Sequence, residues 1–384
     1  MHGSNHGLLT PDSLFVKKAL ITLTLMFGFS AHAQMPSIPA LYETAVALDP
    51  ADSDDPAIWV HPTHPSLSMV VATHKDAGLT VFDLSGRTLQ DINPGNVRYN
   101  NVDVVYGFRL GNRTVDLAIA SDRKNDRLAI FEIQRASRKL KEVTQQGIPL
   151  VFTAAGAKSD GTNTAYGLAA YQTREGQYRV FVSQRKHGRV AELELVTDGK
   201  TVGSRLVRFI DLPQQKVDDP QVEGMVVDTD HGILYMGQEK VGIWKLSLQD
   251  AQAQPQLIHA VKPTGQHLEA DVEGLTIYDA GNGQGYLLAS SQGDNTFVVY
   301  DRQANNRYLG SFKVAGGSLD GSEECDGAMV SSINFGPRFP QGLLVVQDGY
   351  VKGVEGQTNF KLVSWTDIAE ALGLQISVQT AARR

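Results

Sequence analysis

The sequence predicts an all-β chain closed into a ring of six repeated units, and three observations predict it. First, a ligand-type side chain recurs at the start of successive apolar runs: Asp55 (DDPAIWV), Asp103 (DVVYGF), Tyr166 (YGLAAY), Glu223 (EGMVVD), Glu273 (EGLTIY) and Asp326 (DGAMVS). The spacing is roughly 50–60 residues, the length of one unit in a radial β repeat. Second, apolar runs are short and bounded by Gly, Asp and Asn, as in Leu79-Thr80-Val81-Phe82 and Arg127-Leu128-Ala129-Ile130-Phe131, and helical periodicity is nearly absent. Third, no low-complexity linker divides the interior, so the 384 residues form one closed repeat rather than two or three domains. Five of the six phased side chains are carboxylates. Carboxylates gathered on one axis repel unless cations sit among them, which places a metal-loaded site at the centre.

Residues 34–50 read as an extended lead-in. In the first unit, about 51–97, runs at 67–72 and 79–84 flank the turn Thr73-His74-Lys75-Asp76. Runs 115–120 and 127–133 flank Ser121-Asp122-Arg123, and runs 179–183 and 191–196 flank residues 184–188. The scheme repeats with 232–236 and 243–248, then 286–290 and 297–300, then 342–346 and 360–365. A short helix is expected over 367–372, with Thr366 as N-cap and Gly373 as its stop. The tail 377–384 reads as loose, so the folded domain spans 34–376.

A second polar position lies in each of these turns. Lys75, Arg123 and Lys186 trail the first three phased residues by one shared interval, while Glu239, Gln292 and Asp348 occupy the corresponding turns later in the chain. One side of the ring would then be basic and the other acidic, a pattern suited to an anion partly bridged by metal.

The N-terminus reads as a processing signal, with Lys17-Lys18, an apolar stretch from Ala19 to Ser30, and the A-x-A site Ala31-His32-Ala33. The apolar stretch is too short to span a bilayer. Residues 1–33 are expected to be removed, with export to the periplasm or medium. Removal takes Asp12, Lys17 and Lys18, leaving 33 basic against 41 acidic side chains, a net charge of −8. That balance argues against nucleic acid or an anionic membrane as partner. With Cys325 alone there is no internal disulfide. Bound Ca²⁺ is the expected stabiliser of the exported chain.

Asp52-Ser53-Asp54-Asp55-Pro56 offers the several carboxylate oxygens a hard cation requires, although Asp-Pro is also an ordinary turn cap. Asp271-Val272-Glu273 puts two carboxylates on one face of a strand. His61, His64 and His74 fit no zinc spacing, and acids dominate their neighbourhood. Cys325, between Glu324 and Asp326, is poorly placed for a nucleophile. No nucleophile elbow, P-loop or dinucleotide fingerprint is present.

The stretches DSDDPAIWVHP, NNVDVVY, DVEGLTIYDAGNGQGYLLASSQGDNTFVVYDRQ, DGSEECDGAMV, GPRFPQGLLVVQDG and NFKLVSW resemble the β-propeller (alkaline, calcium-dependent) phytases, over about residues 45–373. The resemblance implies a six-bladed β-propeller that releases phosphate from myo-inositol hexakisphosphate presented with calcium. It implies Asp55, Glu223, Glu239, Asp271, Glu273 and Asp326 as calcium carboxylates, with Asp54 and Asp103 beside them. It further implies Lys75, Arg123, Tyr166 and Lys186 as the groups that hold the substrate phosphates, and Asp320 and Asp348 as ligands of a more structural calcium. The chain departs from the family pattern at Val105, where Arg is usual, at His187 and Lys240, where acids are common, and at Cys325.

The reading is therefore a monomeric 3-phytase binding several Ca²⁺ ions, which activate a water for attack on phosphorus without a covalent enzyme intermediate. Lys75, Arg123, Tyr166, Lys186 and Glu223 would serve that step. The competing readings are a six-bladed calcium-dependent lactonase, which needs no basic trio, and a noncatalytic propeller that binds an anion or partner.

Overall fold

The computed structural model describes residues 35–47, 51–303 and 305–379, together with Gly3 and Gly7. The processing signal otherwise falls outside these residues, as do the last five positions of the tail.

Each repeat folds as an antiparallel sheet, and six such sheets form the blades of a propeller. Blade one comprises Ser53–Trp59, Met69–His74, Gly78–Asp83 and Thr88–Ile92; blade two Tyr99–Leu110, Arg113–Asp122, Arg127–Gln134 and Lys139–Glu142. Blade three is Ala165–Gln172, Tyr178–Gln184, Arg189–Thr197 and Val202–Asp211, and blade four Val222–Asp228, Ile233–Gln238, Gly242–Ser247 and Gln256–Ala260. Blade five is Val272–Gly281, Gln284–Ser291, Thr296–Asp301 and Tyr308–Val314, and blade six Ala328–Ser331, Leu343–Asp348 and Asn359–Ser364. The first strands of successive blades touch one another all round the ring, so they form its inner wall.

The lead-in is structured where a plain extended segment was expected. Tyr42–Glu43 is the fourth strand of blade six, pairing Tyr42 with Leu362 and Glu43 with Lys361. Ser37–Ile38 adds a parallel fifth strand to blade five. The ring is thus closed by chain from the opposite end of the sequence, a long-range pairing that the short apolar content of 35–47 does not announce.

Both faces of each blade are covered, which explains why the strands read as nearly continuous apolar runs. The buried apolar side chains fall into six clusters, each wedged between two neighbouring blades. The helix spans Trp365–Leu372, beginning two residues earlier than expected, and Ser364 rather than Thr366 precedes it. Trp365 is fully buried and stacks on Tyr278 at 4.0 Å, so packing fixes the start and no side-chain cap is used. Gly373 ends it in the left-handed region at φ 64°. Beyond it, the carbonyls of Gln375 and Ser377 accept bonds from Tyr286 and Tyr278, and Gln379 bonds back to Ser332. No described helix is long and apolar enough to cross a membrane.

His74 ends the second strand of blade one, edge-on to Phe82 and Phe360, with Nδ1 3.2 Å from Ser53 Oγ. Burial pushes its pKa down to about 4, against a weaker upward pull from Asp91 and Asp52. Below the unfolded value near 6.5 the unfolded chain takes a proton that the folded chain refuses. The stability present above that pH is therefore lost as pH falls toward the folded pKa, by about 2 kcal/mol between pH 6.5 and 5. Urea unfolding at the two pH values should show a shallower loss in His74→Asn than in the parent; equal slopes would refute the assignment.

Candidate active site

In five blades the pairing of the first two strands slips at one equivalent place. The slips lie between Ser53 and Pro56, Tyr99 and Val102, Ala165 and Leu168, Val222 and Met225, and Val272 and Leu275. Each encloses a two-residue bulge: Asp54-Asp55, Asn100-Asn101, Tyr166-Gly167, Glu223-Gly224 and Glu273-Gly274. In blade six, Asp326-Gly327 stands in the same position, just ahead of Ala328. A bulge interrupts the ladder and re-aims a side chain, here at the end of the inner wall. Where the second residue of the pair is glycine, it answers to packing. A Cβ on Gly224 would lie 1.6 Å from the Glu273 carbonyl oxygen, and one on Gly167 2.0 Å from that of Glu223. The recurring Glu-Gly and Tyr-Gly pairs therefore record how closely the next blade approaches.

This register corrects the phase inferred from spacing. The residue equivalent to Tyr166 and Glu223 is Asp54 in blade one and Asn100 in blade two. Asp103 lies three positions beyond Asn100. Its two carboxylate oxygens accept the Val104 and Ala170 N–H groups at 2.7 and 2.8 Å, tying blade two to blade three. Burial raises its pKa to about 6. Asp55 plays a similar part, accepting Val102 N–H at 3.0 Å from the next blade.

Three of the expected carboxylates converge closely. Glu223, Glu239 and Glu273 are buried, with one oxygen from each within 4.8 Å of the others. Glu223 accepts Tyr166 O–H at 2.5 Å and Asn100 Nδ2 at 2.7 Å, so side chains from blades two, three and four meet there. Gln221 donates to both oxygens of Glu239, at 2.8 and 3.0 Å. Burial, then the Glu223 charge, raises the Glu239 pKa to about 9; the same two causes hold Glu273 well above the carboxylate range. Asp271 is half-buried, and its pKa is raised by burial despite Lys240.

Beside this trio, Lys75 is committed to acids. Its Nζ lies 2.7 Å from Asp326, 3.0 Å from Asp54 and 3.2 Å from Asp52. Burial opposes its charge, but Asp54, Asp326 and Asp52 outweigh that and hold its pKa well up. Asp54 is 0% exposed; one of its oxygens faces the Lys75 ammonium and the other has no hydrogen-bond donor. Gln292 donates to the other Asp326 oxygen at 2.8 Å. The expected division into a basic and an acidic side thus narrows, because Lys75 belongs to the acidic group.

On the remaining arc, the Arg123 guanidinium stands 5.4 Å from the Tyr166 ring centroid and donates to Asn100 Oδ1 at 3.4 Å. Lys186 has a left-handed backbone at φ 64°, and its Nζ lies 3.9 Å from Asp219.

Asp320 and Asp348 do not join the rim. Both pair with Lys361, whose side chain is 0% exposed, with Nζ 3.1 Å from Asp348 and 2.6 Å from Glu43 and a shorter contact to Asp320. An ammonium group stands beside the two acids that the resemblance implies as ligands of a structural calcium.

The chain is similar to the family described as Phytase over residues 13–383. It is also 38% identical over 329 residues to the 3-phytase of Bacillus subtilis (strain 168), covering 84% of this chain and 81% of that protein. The chain belongs to the Phytase family. It is a phosphomonoester hydrolase acting on phytate, and the family implies a metal. Among solved structures, a protein of unknown function from Bacteroides thetaiotaomicron superposes with a TM-score of 0.52 at 10% identity, covering 85% of this phytase and 75% of that chain, a likeness of fold alone. The Pseudomonas aeruginosa periplasmic gluconolactonase gives 0.43 at 12% identity, covering 67% and 70%.

The acidic rim fits a divalent ion. Glu223, Glu239 and Glu273 supply converging oxygens, and the Asp54 oxygen that Lys75 does not face is buried without a hydrogen-bond donor, as a ligand oxygen would be. Asn100 and Gln221 escaped the sequence reading. Asn100 stands in the quoted NNVDVVY stretch, where the double Asn before an apolar run carried as clear a signal as Asp103. Gln221, two residues before Glu223, had none.

Proposed function

We propose that this phytase is calcium-dependent and that the ions lie against Glu223, Glu239 and Glu273, with Asp54, Asp55, Asp271 and Asp326 contributing. The observation that carries this is the buried convergence of three carboxylates. Calcium bound there would supply a water of lowered pKa and neutralise part of the phosphate charge. The chain's own groups do the rest. Asn100 and Tyr166 fix the Glu223 carboxylate through its two oxygens. Lys75 holds Asp54 and Asp326 in position and favours their charged forms against the effect of burial. Arg123 faces the phosphate and offsets charge developing on its oxygens. First attack at the 3-position follows the name of the Bacillus relative. Export rests on Ala31-His32-Ala33, and a monomer on ring closure by the chain's own Tyr42–Glu43 strand.

Chelation tests the proposal. Phosphate release from phytate should vanish in EDTA and return with Ca²⁺. The chelated protein should also lose about 3 kcal/mol of stability relative to protein at a hundredfold excess over Kd. Full hydrolysis in a chelated sample would sink it.

A further inference from the structure

We propose that Arg185 is a substrate-binding residue that pairs with Arg123 to grip one phosphate group of the substrate. The inference rests on the phytase reading for the position of substrate at the rim. Its first support is backbone register. One backbone bond recurs in five blades, reaching from the residue after the second strand to the carbonyl two residues ahead of the bulge side chain. It runs from Lys75 to Asp52 at 2.8 Å, Arg123 to Arg98 at 2.8 Å, Arg185 to Thr164 at 2.9 Å, Glu239 to Gln221 at 3.2 Å and Gln292 to Asp271 at 3.0 Å. Lys75, Glu239 and Gln292 all deliver their side chains to the rim from this position. In blade three the equivalent residue is Arg185, and Lys186 lies one step outside the register.

The second support is uncompensated charge. Thr164 joins the two turns, its hydroxyl donating to the Arg123 carbonyl and its own carbonyl accepting the Arg185 N–H, and burial and then the neighbouring Arg185 hold the Arg123 pKa below its ordinary value. Among the described residues, neither guanidinium forms an ion pair with a carboxylate, and the buried Arg185 Nε makes no hydrogen bond. The other nearby cations are engaged: Arg98 with Asp76, Lys75 with three acids, and Lys186 near Asp219. Two like charges held together without a counter-ion are repulsive in the free protein. A tetrahedral dianion removes that repulsion, and two planar forks match its oxygens in a way one flexible ammonium does not.

The test is calorimetric binding of inorganic phosphate to the metal-loaded protein, below the concentration at which calcium phosphate precipitates, alongside initial rates on phytate. Arg185→Gln should weaken phosphate binding about tenfold or more, the scale of a hydrogen bond to a charged group. KM for phytate should rise by a similar factor and kcat should change less. Arg185→Lys keeps the charge without the fork and should recover only part of the loss, and it serves should the Gln variant fold poorly. Unchanged phosphate affinity in Arg185→Gln and Arg185→Lys, with affinity lost in Arg123→Gln, would reject Arg185 and leave the phytase site standing. Unchanged affinity in all three, with phytate still hydrolysed, would remove the paired site altogether.

Discussion

Glu223→Gln should cut phosphate release from phytate by a hundred- to thousandfold, the usual cost of deleting one preorganised electrostatic group. Glu223 is the hub of the rim. It accepts from Tyr166 and Asn100, and its charge raises the acids around it, Glu239 and Glu273 among them. A glutamine of the same shape removes one anionic ligand and turns a donor toward one of two partners that donate now. Stability should move differently. With metal stripped, the variant relieves repulsion among buried acids and should unfold at or above the temperature of the chelated parent. With Ca²⁺ it should gain less than the parent does. Initial rates and thermal unfolding with and without EDTA check both parts. A variant retaining a tenth or more of the parent's rate would show that Glu223 is not at the reacting centre.

The propeller was legible because its repeat is written twice, once in apolar runs and once in the polar residue that opens each inner strand. Tyr166-Gly167, Glu223-Gly224, Glu273-Gly274 and Asp326-Gly327 are local patterns with one cause: a bulge that aims the first residue and a glycine that admits the next blade. In the first two blades the second bulge position holds Asp55 and Asn101, so the local pattern breaks and counting from spacing alone chose Asp103 over Asn100. A shift of one position separated Lys186 from Arg185. Both differences come from register, which depends on strand pairing rather than on interval. Ring closure by Tyr42–Glu43 was hidden for another reason. Its partners Leu362 and Lys361 lie at the far end of the chain, and two paired residues leave no periodicity to read.

Lys361→Met should lower stability by about 3–5 kcal/mol, the cost of removing one partner from a buried ion cluster. At the scaling of larger domains that is on the order of 10 °C in Tm. The ammonium is buried where three segments meet: Glu43 on the closing strand, Asp320 in the loop ahead of blade six, and Asp348 on the second strand of that blade. Without it, three carboxylates face one another, and the seam between the chain's two ends loses its cation. Methionine has the volume but no charge, so the loss isolates electrostatics from packing. The same three acids should then recruit a divalent ion, so added Ca²⁺ should raise the Tm of Lys361→Met more than that of the parent. Asp348→Asn should cost less, since Lys361 keeps Glu43 and Asp320 as partners. Thermal unfolding across a calcium series measures all three. A Lys361→Met protein as stable as its parent in EDTA would mean that the closing seam is held by strand pairing and apolar packing alone.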